Sequence, residues 1–187
     1  MKNRSLLAAA LIFASGASFA ATEISDVTIP DTIALQGETL NYNGAGVRSK
    51  FFIDLYVGSL FTANTTHDAK SVIDSKEATA IRLNITSNII TSEKMSKAMN
   101  EGFELAAGDN KANLNVKIKD FIQTFSAPIQ KGDQFTLLSV PGEGLISYKN
   151  GEFLSITAGE DFRKTVLAIW LGEKPTDKSL KEDMLGA

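Results

Sequence analysis

Arg48 and Tyr56 are the side chains of this sequence whose types and spacing could act together on a small anion. A guanidinium offers a planar pair of donors and a phenol adds a third, a set suited to a carboxylate. Arg48 closes the run Gly44-Ala45-Gly46-Val47-Arg48, just before Phe51-Phe52-Ile53-Asp54-Leu55-Tyr56-Val57. The two glycines suit a tight turn and a close approach of backbone to a neighbour, which a Cβ would resist. The apolar run reads as a largely buried strand from about Phe51 to Phe61, with Asp54, Tyr56 and Gly58 on one face and Leu55, Val57 and Ser59 on the other. A guanidinium at the mouth of such a strand needs an anion, because an unpaired buried charge is costly. An internal acid, either Asp54 or a helix carboxylate, could supply it and make Arg48 a strut. A ligand could supply it equally well.

Other chemistries lack their residues. His67 is the one histidine and cysteine is absent, so zinc sites of the usual ligand types are not expected. His67 itself reads as a solvated loop or helix-start residue. No Gly-x-Ser-x-Gly elbow occurs, and Gly44-Ala45-Gly46 lacks the third glycine of a dinucleotide loop. Asp109-Asn110-Lys111 breaks the calcium-loop pattern at its third position. Glu160-Asp161 sits where a helix dipole alone explains two carboxylates. No catalytic residue, metal or cofactor is expected.

The elements that must position the pair are legible in outline. Val27–Ile29, Ile33–Leu35 and Leu40–Tyr42 read as short strands separated by turns, and Ala80 to Ile85 alternates as a half-buried strand does. A short helix is expected over 68–75. From Ser92, a candidate cap, to Ala107 the residues Met95, Ala98, Met99, Phe103 and Ala106 share a helical face. That stripe reads first as ordinary core, although its thioethers would also suit a pliable pocket wall. Leu114, Ile118, Phe121, Ile122 and Phe125 define a second helix. Gln134–Val140, Leu145–Lys149 and Glu152–Ile156 form a meander, the last pair joined by an Asn150-Gly151 turn. Thr157-Ala158-Gly159-Glu160 has the form of a capping box for a helix burying Phe162, Val166, Ile169 and Trp170. A last helix is expected over 177–185. Strands in antiparallel runs with helices in blocks give an α+β fold, an antiparallel sheet with helices packed on one face.

Residues 1–20 read as a secretory signal, with Lys2 and Arg4 before the apolar run Leu6–Phe13 and a cleavage site at Ser18-Phe19-Ala20. The expected mature domain, 21–187, suits a single core. The whole chain has 19 basic and 22 acidic side chains; without Lys2 and Arg4 the basic count is 17 and the net charge −5. No basic run stands out in the sequence, which speaks against nucleic acid and anionic membrane as partners, and no later apolar stretch is long enough to span a bilayer.

The Gly44–Arg48 run, the segment Phe51 to Phe61, Phe162-Arg163-Lys164-Thr165-Val166-Leu167-Ala168-Ile169-Trp170-Leu171-Gly172-Glu173-Lys174-Pro175 and the ending Leu180 to Gly186 together resemble the bacterial chalcone isomerase-like family. The resemblance implies a sheet–helix cleft able to take an apolar ligand, and a periplasmic location. The plant enzymes of that fold close a chalcone to a flavanone, with an arginine at the position of Arg48. Their helical tyrosine and asparagine correspond to the region Met95 to Gly102, where methionine, lysine and alanine stand instead and Asn100 is nearby but out of register. Non-catalytic plant relatives hold a fatty-acid carboxylate with an arginine and a tyrosine, which Arg48 and Tyr56 resemble. The leading expectation is binding of a fatty acid or similar apolar carboxylate. An isomerase or intramolecular lyase is the alternative, and a structural or partner-binding domain the third reading.

Overall fold

The computed structural model describes residues 21–187, and the expected signal segment lies outside the described residues. The chain opens with a hairpin of β1 (Ala21–Ile24) and β2 (Val27–Pro30). A curled antiparallel sheet then follows in sequence order: β3 (Thr32–Leu35), β4 (Glu38–Lys50), β5 (Ile53–Thr62), β6 (Thr79–Ile85), β7 (Gln134–Val140), β8 (Gly144–Lys149) and β9 (Glu152–Ala158). Helix α1 (Ala69–Ile73) joins β5 to β6. Helices α2 (Ser92–Ala107) and α3 (Lys111–Gln123) join β6 to β7, while α4 (Glu160–Leu171) and α5 (Lys178–Met184) close the chain.

The helical stripes face the sheet. Met95, Met99 and Phe103 of α2, Leu114, Ile118 and Phe121 of α3, and Phe162, Val166, Ile169 and Trp170 of α4 are buried with Leu60, Ile81, Leu83 and Ile85 of the sheet. Phe103, Phe121, Phe125, Phe135 and Phe162 form a chain of aromatic contacts with centroids 5.0 to 5.8 Å apart, favourable beyond their area. The other face of the sheet is also covered at one end, where Ile29, Ile33, Leu40, Val57, Phe61 and Leu138 make a second cluster. With both faces covered, β5 is buried continuously from Tyr56 to Thr62 rather than at alternate residues.

Three sequence expectations change. Gly44-Ala45-Gly46 is no turn; it lies inside β4. The glycines are there because α5 packs directly on them. A Cβ on Gly44 would sit 2.7 Å from the Met184 carbonyl oxygen, and one on Gly46 would sit 2.5 Å from Asp183 Cβ. The close approach was legible, but the turn is Phe51-Phe52, so β5 begins at Ile53. The capping box also fails: Thr157 is still in β9, and α4 is preceded by Gly159 at φ +120° with no side-chain cap. In the same way Thr91, not Ser92, caps α2 by accepting from Lys94 N.

Candidate functional site

Arg48 and Tyr56 are direct cross-strand partners on β4 and β5. Immediately beyond them the register shifts, with Ser49 opposite Asp54, so Leu55 is an extra residue on β5. A bulge of this kind re-aims side chains. Leu55 and Tyr56, neighbours that a regular strand would send to opposite faces, both border one cavity on the helical side. The cavity has a volume of about 490 Å³, within the usual range for small-molecule sites. Its walls are Ile53 and Leu55 of β5, Met95, Ala98 and Met99 of α2, and Ile169 and Trp170 of α4. Met95 and Met99 thus belong to the core and to the cavity wall at once.

Polar groups also line it, Arg48, Tyr56 and Thr176 among them. Arg48 Nη1 donates to Asp177 Oδ2 at 2.6 Å and to the Ser49 carbonyl at 3.1 Å. Both bonds use the same nitrogen, so Nε and Nη2 have no acceptor among the described residues. Asp177 is also the N-cap of α5, its Oδ1 accepting from Leu180 N at 3.1 Å. The internal anion is therefore a helix-cap carboxylate and not Asp54, which instead accepts from the Ser49 hydroxyl. The Arg48 side chain retains 23 % exposure beside the cavity. Of the two partners left open by the sequence, the internal one is present, and Arg48 also borders the cavity.

Tyr56 is buried, and its hydroxyl accepts a hydrogen bond from Trp170 Nε1 at 3.1 Å. The lone pair is used and the proton is left to donate. Burial raises the phenol above its ordinary value of 10.0, outweighing the Trp170 bond and the nearby Arg48 charge, so the hydroxyl remains a donor at any physiological pH. Thr176 also borders the cavity, and its Oγ1 is buried without a protein partner. Arg48, Tyr56 and Thr176 thus offer unspent donors to a cavity whose inner walls are largely apolar. Such an arrangement can hold a carboxylate; on α2 the cavity is lined by Met95, Ala98 and Met99 together with Lys94, Lys97 and Glu101.

Sequence reasoning missed Thr176, Trp170 and Asp177 as parts of this site. The sequence places the start of a last helix at 177, but nothing local says which strand this segment faces. It also missed the charge at the mouth. Lys50, Lys94 and Lys97 come from two distant segments and line the same opening, with Glu101 as the one acid among the lining residues. The absence of a basic run did not mean the absence of a basic patch. His67 is an exposed loop residue just ahead of α1, as read from the sequence, and its Nδ1 also donates to the Leu185 carbonyl at 2.6 Å, tying down the chain end. Glu160 does more than meet a helix dipole: it binds the buried guanidinium of Arg163 and the Gly142 N–H. Among the described residues no cluster of histidine or carboxylate side chains could hold a metal, and no helix is long and apolar enough to cross a membrane.

Comparison with known proteins agrees with this architecture. A search of curated protein sequences gives no match. Among solved structures, the Arabidopsis thaliana fatty-acid binding protein AtFAP1 superposes with a TM-score of 0.69, covering 89% of this chain and 96% of its own, at 16% identity. At that identity the likeness speaks for the fold. The chalcone isomerase-like family matches residues 21–186, from the first strand to the end of the last helix, and the chain belongs to that family.

Proposed function

We propose that the protein is an exported protein that binds a fatty acid or similar apolar carboxylate in its sheet–helix cleft, without covalent change. The observation that carries this reading is the cavity itself: largely apolar inner walls from β5, α2 and α4, with the donors of Arg48, Tyr56 and Thr176 among its lining groups. Each methylene buried in such a space contributes about 0.8 kcal/mol. The carboxylate would meet Arg48 Nε and Nη2, the Tyr56 proton and the Thr176 hydroxyl, while Asp177 keeps the guanidinium in place through Nη1. The fatty-acid binding function of AtFAP1, on the same fold, supports the reading. Export after Ala20 is supported by the signal-like start and by a family match that begins at Ala21.

Native mass spectrometry of the protein purified from its own cells tests the proposal. A bound species releasing long-chain acids on denaturation is expected, with Ala21 as the first residue and lower occupancy in Arg48→Ala. A neutral bound lipid, or an empty protein that fails to take up added acid, would overturn it. Rapid stereoselective cyclisation of a chalcone, lost in Arg48→Ala, would replace binding by catalysis.

A further inference from the structure

Four hairpins in this fold close through two-residue loops: Ser25-Asp26, Gln36-Gly37, Phe51-Phe52 and Asn150-Gly151. Both central residues of every one have positive φ. Loops of this kind favour Gly, Asn and Asp, which tolerate the left-handed region. Three of the four contain such a residue. The β4–β5 loop instead places two phenylalanines at φ +52° and +63°, where a bulky side chain is an outlier. Burial does not compensate: Phe51 is 83% exposed and Phe52 wholly exposed. A local rule broken without a packing gain marks a functional site.

The loop stands at the cavity mouth. Phe51, Ile53, Ile89 and Leu105 line the opening, and with Phe52 they make five of the nine large apolar side chains exposed among the described residues. The same rim carries Lys50, Lys94 and Lys97, with Lys50 Nζ 5.8 Å from the Phe51 ring centroid. The geometry points to a lip that docks on an anionic bilayer: Phe51 and Phe52 enter the headgroup region while the three lysines meet lipid phosphates, so that the cavity opens toward the membrane. Apolar side chains ringed by basic ones bind bilayer interfaces in this way. A second copy of the chain fits the lip less well, because two-fold packing would bring the lysine rims together. The inference rests on the carboxylate reading only for what passes through the mouth; the docking itself needs no ligand.

Co-sedimentation of residues 21–187 with vesicles, in the absence of any fatty acid, tests it independently of ligand binding. Association is expected with vesicles of phosphatidylcholine containing phosphatidylglycerol, weaker with phosphatidylcholine alone, and reduced by salt. The double variant Phe51→Asn with Phe52→Gly installs the loop that the β8–β9 hairpin already uses, so its melting temperature should not fall. Its partition onto anionic vesicles should drop by roughly tenfold or more. Lys94→Gln with Lys97→Gln should remove most of the salt-sensitive part. The proposal is overturned if the wild type ignores anionic vesicles, if the Asn-Gly variant binds them equally, or if the wild type forms a dimer that this variant dissolves.

Discussion

At the scale of single residues, hydrogen-bond direction decides what the cavity can hold. The Tyr56 hydroxyl accepts from the Trp170 indole, which can only donate, so its own proton has to go elsewhere. Arg48 has its Nη1 engaged by Asp177 and Ser49. Removing the guanidinium with Arg48→Ala should cost about 1.5–3 kcal/mol of acid binding, roughly 10- to 150-fold in affinity, and Tyr56→Phe about 1 kcal/mol. Asp177→Asn separates a strut from a ligand site. Asparagine still caps α5, while the competing negative charge is gone. Acid affinity measured by calorimetry should therefore rise by a few-fold in this variant; a loss as large as that of Arg48→Ala would make the Asp177 contact the main purpose of the arginine. Because burial raises the Tyr56 phenol, acid binding should show no titration of this residue between neutrality and pH 10.

At the scale of elements, two helices hold the site in place by different means. Helix α5 lies on Gly44 and Gly46 so closely that a methyl group at either must displace it. Neither glycine has positive φ, so the requirement is packing and not conformation. Gly46→Ala should destabilise by about 1–3 kcal/mol, read from the urea midpoint, and weaken acid binding as Asp177 moves with the helix. Helix α4, which carries Trp170, is anchored by Arg163. That side chain is 1% exposed and reaches Glu160, the Ser139 hydroxyl and the Ser75 carbonyl. The hydrogen bond from Arg163, followed by that from Gly142 N–H, lowers Glu160 from an ordinary 4.5 to about 2. A depressed carboxylate stabilises the fold above its ordinary value and loses that contribution as pH falls toward about 2. Chemical denaturation should accordingly show stability declining between about pH 4.5 and 2. In Glu160→Gln the loss should be present at neutral pH and the decline across that window shallower.

At the scale of the whole molecule, what was legible in the sequence and what was not divide along one physical line. Local periodicity places Met95, Met99, Phe103, Leu114 and Ile118 on the core face of their helices, and the alternation of Ile81, Leu83 and Ile85 marks their shared side of β6. The Asn150-Gly151 turn follows from the backbone freedom of its two residues. The Gly44–Gly46 reading went astray because glycine answers two demands, a turn or a close neighbour, and only α5 tells them apart. Phe51-Phe52 was hidden because that turn runs against its residues' own preference. Arg48 and Tyr56 are distinguishable as candidates in sequence, but the Leu55 bulge, the Asp177 contact and the lysine rim arise only when distant segments meet. The result is an acidic chain that gathers Arg48, Lys50, Lys94 and Lys97 around one apolar opening. The central claim is that this opening selects a carboxylate with an apolar tail. Titration calorimetry with a long-chain acid and the alcohol of equal chain length, on the wild type and Arg48→Ala, tests it most directly. The acid should bind the wild type at least about tenfold more tightly than the alcohol, with the preference abolished in Arg48→Ala. Equal affinity for acid and alcohol in the wild type, or an acid preference that survives the substitution, would contradict it.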